Sequence, residues 1–411
     1  MRFVFLFLLI TQLAFAQQDN VLQKLVEQHP SYFQAIFAPG SKHQAQIIYT
    51  QIDRNEQNQP KFTTYTYQID TQLYYYPAST VKMPVAFLAL EKLNQLNVIN
   101  LNKNTPMRHG AVRAPQTEAN TDVTAVNLLP SVGHYIKKIF VVSDNDAFNR
   151  LYEWLGQEEI NEALAKKDFH STRILHRLSV TGFDVEGNRY TNPVSFYHNN
   201  QLLYHQGQKY SFDHRTWKIH GEMKGKGYLN DKDELVNQPF DFRYKNFVAL
   251  TDLHDMLTSV IFPEAVAPHQ RFDLTNEDYQ FLYRVMSTKP KESKYPDYSA
   301  EPDGYVKFFM YGDKKDASIP SSVRIFNKVG WAYGFLTDVA YVVDFERNIE
   351  FMLSATISVN QNEIYNDGQY EYEQIGMPFF GNLGRVIYNH ETTRPRTRTP
   401  DLSKFKIAVY D

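Results

Sequence analysis

Over residues 20–28, Val21, Leu22, Leu25 and Val26 recur at helical spacing, which predicts a short amphipathic helix near the start of the chain. The pattern then changes period. Residues 46–52 and 61–69 are rich in β-branched and aromatic side chains and are separated by a turn-forming run, 53–60, so they predict a hairpin within an antiparallel sheet. Helical spacing returns over 79–96, where Val81, Val85, Leu88, Ala89 and Leu93 supply an inward face and Pro84 falls in the first turns, where proline is tolerated. Further helices are expected at 131–140, 144–155 and 157–166. Loops are expected over 105–124, with Arg108, His109 and Arg113 mainly in solvent.

The stretch 185–321 has weaker periodicity. Helix-like segments are expected around 193–204 and 246–260, the second capped by Thr251 or Asp252, followed by a polar, aromatic segment at 289–305. Strand patterning resumes at 323–328, 335–343 and 349–357, and a helix is expected from 372 to 388.

With 411 residues, 43 Lys plus Arg against 46 Asp plus Glu, and a net charge of -3, the chain can bury a large core and has no overall charge that would draw it to nucleic acid. Its 28 Tyr and 29 Phe are expected mostly in packing. Met1-Arg2, an apolar run from Phe3 to Ile10 and the small residues Ala14 and Ala16 read as a secretory signal cleaved after Ala16, with an apolar run too short to anchor the protein in a membrane. The expected location is the periplasm or the exterior. The absence of cysteine excludes a lipoprotein anchor and disulfides.

Candidate chemistry begins at Ser79-Thr80-Val81-Lys82, which sets a hydroxyl and an amine three residues apart at a helix start, so that an amine can take the proton of an attacking serine. Two further clusters follow in order. Ser143-Asp144-Asn145 comes after the apolar run 139–142, and Lys328-Val329-Gly330 lies just past the strand-like run 323–326.

These three motifs resemble those of the penicillin-recognising serine enzymes, above all the class A serine beta-lactamase family, with S-x-x-K and S-D-N matched in full and K-T-G carried as Lys328-Val329-Gly330. The resemblance implies an α+β fold, a three-layer α/β/α sandwich with an antiparallel sheet, terminal helices and a helical lobe. It divides the chain into a signal, 1–16, and a catalytic domain, 17–411, whose sheet lobe is 17–78 and 323–411 and whose helical lobe is 79–322, with an insertion expected at 185–321. By the same resemblance Ser79 is the nucleophile, Lys82 the proton acceptor, Ser143 a second proton shuttle, and Asn145 a contact for substrate and Lys82. Asp144 is structural. Lys328 binds a substrate carboxylate, Gly330 lets the strand approach the acyl group, and the amides of Ser79 and Trp331 form the oxyanion hole. Val329 replaces a threonine hydroxyl used in carboxylate recognition.

The segment 170–177 resembles the lead into the omega loop, where the family places an acid that activates the deacylating water. Here it runs into Leu178-Ser179-Val180 with no acid, and Asp184 and Glu186 come later. The function implied is beta-lactam hydrolysis through a Ser79 acyl-enzyme (EC 3.5.2.6-like, with antibiotic resistance as its consequence). The alternatives are a periplasmic D-alanyl peptidase, amidase or esterase acting on a small acyl or amide substrate or cell-wall peptide, and a non-catalytic descendant that binds peptide or glycan. No metal or organic cofactor is called for. His109, His134, His170, His176, His254 and His269 show no metal-ligand spacing, and there is no nucleophile-elbow motif.

Overall fold

The protein is described here by a computed structural model covering residues 20–314 and 316–407; the expected signal, residues 1–16, lies outside the described residues. Asn20 caps the first helix, α1 (Val21–Glu27), by accepting a hydrogen bond from the amide of Gln23. The hairpin follows. Its strands β1 (Gln46–Arg54) and β2 (Pro60–Tyr67) pair antiparallel from Ile47 opposite Tyr67 to Arg54 opposite Pro60.

Three long strands near the other end of the chain, β3 (Val323–Ala332), β4 (Phe335–Asp344) and β5 (Ile349–Ser358), complete one five-stranded antiparallel sheet in the order β3-β4-β5-β1-β2. Strand β5 pairs with β1, from Gln46 opposite Thr356 to Gln51 opposite Phe351, which joins segments far apart in sequence. Side-chain alternation splits each strand between two cores. Phe326, Val339, Tyr341 and Met352 face the inner core, whereas Ile325, Val329, Leu336, Ala340, Val342, Phe351 and Leu353 face the outer one.

The inner core is covered by α2 (Lys82–Leu96), α3 (Val132–Val142), α4 (Asn145–Leu155), α5 (Gln157–Lys166), α6 (Leu250–Ile261) and α7 (Asn276–Ser287), which contribute Phe87, Phe140, Phe148, Leu164, Leu257 and Met286. The outer core is covered by α1 and α8 (Met377–Thr393), through Leu22 and Val26 and through Phe379, Phe380, Leu383 and Ile387. The result is a helix, sheet, helix sandwich, the α+β architecture expected. Among the described residues no helix is long and apolar enough to cross a membrane.

Three local expectations need correction, and one helix is added. Residues 193–204 form a hairpin, Val194–His198 with Gln201–Gln206, because Val194 and Phe196 are buried while Ser195 and Tyr197 are not, and Asn199 and Asn200 both take the positive φ of a tight hairpin turn. The cap of α6 is Ala249, with no side-chain cap bond; Thr251 and Asp252 lie inside the first turn, where Asp252 accepts from Thr172 Oγ1 instead. His109 is fully buried, with Nε2 bonded to the Arg150 carbonyl, because it belongs to a short strand, Met107–His109, under the 193–206 hairpin. Helix α7 was not anticipated, although Thr275 and Asp278 form a reciprocal capping box that its sequence displays.

Candidate active site

Ser79 sits in a 3-10 turn, Ala78–Val81, that runs directly into α2. Pro77 and Thr80 close the turn, for the Thr80 hydroxyl and amide both donate to the Pro77 carbonyl (2.7 and 3.1 Å). Ala78 has φ +46°, a left-handed conformation costly for a residue with a Cβ, so the turn that presents Ser79 is strained. One residue after the turn, Lys82 begins α2 with none of its surface exposed.

The Lys82 ammonium points at the end of α3. Its Nζ donates to the Ser143 carbonyl, to Ser143 Oγ at 3.3 Å and to Asn145 Oδ1 at 2.7 Å. Ser143 can meet it because it terminates α3 in the left-handed region, φ +60°, which turns its carbonyl and hydroxyl inward. Asp144 then caps α4 by accepting from the Ala147 amide at 2.8 Å and pairs with Lys138 at 3.4 Å.

From the other side comes β3, the edge strand of the sheet. Alternation puts Lys328 on the same face as Phe326, toward the helices. Lys328 Nζ donates to Ser143 Oγ and to the Val329 carbonyl, both at 2.8 Å. Two buried lysines therefore converge on one hydroxyl. Burial lowers the Lys82 pKa to about 7, against the pull of the Asp144 charge, and burial together with the Lys82 charge drives Lys328 well below its ordinary value.

Gly330 lies tight against the serine turn. A Cβ there would stand 2.5 Å from the Pro77 carbonyl oxygen and 2.8 Å from the Ser79 amide nitrogen, distances no side chain tolerates. A cavity of about 240 Å³ opens beside Ser79, lined also by Tyr76, Ser143, Asn145, Leu178, Ser179 and Trp331. The Trp331 ring packs edge-on against Tyr305, another wall of the cavity. Val329 is elsewhere, wholly buried in the outer core, and its side chain does not line this space.

The structure thus brings together Ser79, Lys82, Ser143, Asn145, Lys328, Gly330 and Trp331. It also shows wall residues that the motifs do not signal. Tyr305 comes from the 185–321 stretch, and Leu178 and Ser179 come from the segment after the omega-loop lead, held by paired hydrogen bonds between the Leu178 backbone and the Asn149 amide (2.8 and 2.9 Å). None of the residues lining the cavity is Asp or Glu. Asp184 instead caps a turn through the Gly187 amide at 2.6 Å, and Glu186 accepts from the Tyr210 hydroxyl at 3.3 Å. Among the described residues, no group of three or more His, Asp or Glu comes together as a metal cluster would require.

Residues 30–219 match the family described as the beta-lactamase enzyme family. That stretch includes Ser79, Lys82, Ser143 and Asn145, and over it the chain is similar to this family of enzymes. No curated protein matches it at significant similarity. Solved structures similar to it include a beta-lactamase from Sphaerobacter thermophilus DSM 20745 (11% identity, TM-score 0.47, covering 91% of this chain and 98% of that one). PBP-A is similar at 12% identity and TM-score 0.49, covering 90% and 96%. A class A beta-lactamase from Mycobacterium abscessus stands at 12% and 0.44, covering 89% and 97%.

Proposed function

We propose that the protein is a serine acyl hydrolase that opens beta-lactams through an acyl-enzyme on Ser79. The observation that carries the reading is the Ser143 hydroxyl held between two buried lysines beside the Ser79 cavity. In this reading neutral Lys82 takes the Ser79 proton as Oγ bonds to the lactam carbonyl carbon, and the amides of Ser79 and Trp331 hold the oxyanion. When the tetrahedral adduct collapses, the carbon–nitrogen bond breaks and the nitrogen receives the Ser143 proton, which Lys82 replaces. Lys328 orients the Ser143 hydroxyl and offers a cation to a substrate carboxylate, Asn145 positions Lys82 and the substrate amide, and Asp144 holds the α3–α4 corner. The two lobes, 17–78 with 323–411 and 79–322, close around this chemistry, and the signal expected at 1–16 would deliver it outside the cytoplasm.

A second reading is favoured by the acid-free cavity wall. With no carboxylate to deprotonate a water beside the ester, acylation outruns deacylation, which is the behaviour of a penicillin-binding peptidase rather than an efficient beta-lactamase. Time-resolved intact mass of wild type and Ser79→Ala with benzylpenicillin, with lactam loss followed in parallel, separates them. Ser79-dependent loss far beyond enzyme concentration supports beta-lactamase turnover, and a lasting one-to-one adduct supports the peptidase. Neither adduct nor turnover would reject both.

A further inference from the structure

A second cavity, about 1010 Å³, adjoins the Ser79 site and shares Tyr76, Ser179 and Ala332 with it. Its walls come from the omega-loop-like segment, from 213–217 and 243–245 within the middle stretch, and from 366–370 after the sheet. Six arginines and lysines line it against three carboxylates. Those carboxylates are already engaged: Asp213 holds Arg215 at 2.5 Å, Glu222 holds Arg173 at 2.7 Å, and Asp184 accepts from the Gly187 amide. Among the described residues Arg189 makes no ion pair, and it donates to the carbonyls of Ser211 and Asp213. Lys245 has less still. Among the described residues its Nζ has neither hydrogen bond nor ion pair, only the Tyr333 ring 6.0 Å away.

A second unmet group lies on the same wall. His176 Nδ1 meets the Arg177 carbonyl at 2.5 Å, which makes Nδ1 the donor and leaves Nε2 as an acceptor, and Nε2 is buried without a partner. The ring stacks at 3° on Tyr76, which borders both cavities. An uncommitted cation and an uncommitted acceptor within one cavity are unmet needs that a ligand carrying an anion and an N–H would satisfy.

We infer that this cavity is a subsite for the acyl side of the substrate and that it selects acyl groups bearing a carboxylate, received by Lys245, with an amide N–H received by His176. The inference rests on the acyl-enzyme reading, which puts the leaving nitrogen beside Ser143 and so sends the acyl substituent the other way, past Ser179 and Tyr76. Aromatic walls at Phe183, Trp217, Tyr333 and Tyr370 suit a substituent that carries an aryl ring beside its carboxylate.

Two penicillins that differ by one group test it: benzylpenicillin and its α-carboxy analogue. Titration of Ser79→Ala, which cannot be acylated, should show the α-carboxy compound binding about tenfold more tightly, as one desolvated charge-assisted contact supplies. The preference should vanish in Ser79→Ala/Lys245→Gln and return in Ser79→Ala/Lys245→Arg. No binding, equal binding, or a preference that survives Lys245→Gln overturns the subsite. Intact mass of the wild type with the same compounds reads the chemistry separately. Acylation without the charge preference keeps the acyl-enzyme and removes the subsite, whereas Lys245-dependent binding without any acylation does the reverse.

Discussion

Lys82 is the residue at which the chemistry has a pH. Burial holds its pKa near 7, below an ordinary lysine, so its neutral, proton-accepting form grows as pH rises through 7. The rate of Ser79 acylation by benzylpenicillin, followed by intact mass, should climb tenfold per pH unit below that point and level above it. Lys82→Arg keeps the charge and cannot accept the proton, and should lose about 10²–10⁴ in that rate. A flat profile, or an active Lys82→Arg, would remove Lys82 as the base. Gly330 is sensitive for a different reason. In Gly330→Ala the new methyl meets the Pro77 carbonyl and the Ser79 amide at 2.5 and 2.8 Å, so strand and turn must separate. Acylation should fall roughly 100-fold, the cost of about an ångström of misplacement, and an unchanged rate would show that β3 and the serine turn are not rigidly apposed.

Among the elements, β3 carries Lys328 on one face and depends on a buried polar network behind it. Asn327 accepts from Lys307 at 2.6 Å and donates to Asp338 at 2.8 Å and to the Val306 carbonyl at 2.9 Å; Lys307 also donates to the Met286 carbonyl at the end of α7. Burial lowers the Lys307 pKa and raises that of Asp338, so both depend on their hydrogen bonds, which Asn327 shares with the Met286 carbonyl for Lys307 and with the Phe308 amide for Asp338. Asn327→Leu should cost roughly 1–3 kcal/mol in denaturant unfolding, and a change below about 0.5 kcal/mol would mark the network as dispensable. None of this could be read from the chain, because Asn327, Asp338 and Lys307 meet only once the sheet is assembled. The elements that were legible are those whose burial is one-sided and regular: α2, α4, α5 and the three strands after residue 322. The failures lie where the period is short or broken, as in the 193–206 hairpin, whose two positive-φ asparagines were the missed signal. The motif residues were legible because S-x-x-K and S-D-N are local in sequence. The walls at Tyr305, Leu178 and Tyr333 were not, since each is delivered by a loop whose path the whole fold decides.

Across the whole molecule, buried lysines outside the site couple stability to pH in the same way that Lys82 couples activity. Burial lowers Lys92 and Lys224 to about 8, with Lys82 at about 7, whereas in the unfolded chain each titrates near the ordinary value of about 10.4. Between those limits the unfolded chain binds more protons than the folded one, so stability rises with pH from about 7 toward 10. Above about 10 the sign reverses, because buried tyrosines such as Tyr74 and Tyr341 are held well above their ordinary values and ionise only on unfolding. The thermal midpoint should therefore be higher at pH 9 than at pH 7. Lys224 isolates the cause: it is 8% exposed, lines neither cavity, and its partners among the described residues are neutral, Gln44 Oε1 at 2.9 Å and the Phe335 ring 5.6 Å away. Lys224→Met removes its cost of burial as a cation, so the midpoint at pH 7 should rise by about 1–2 °C, some 1 kcal/mol for a chain of 411 residues, and the gain between pH 7 and 9 should shrink. A midpoint that falls over that interval in the wild type, or a slope unaltered in Lys224→Met, would show that the folded protein hydrates these ammonium groups as well as the unfolded chain does.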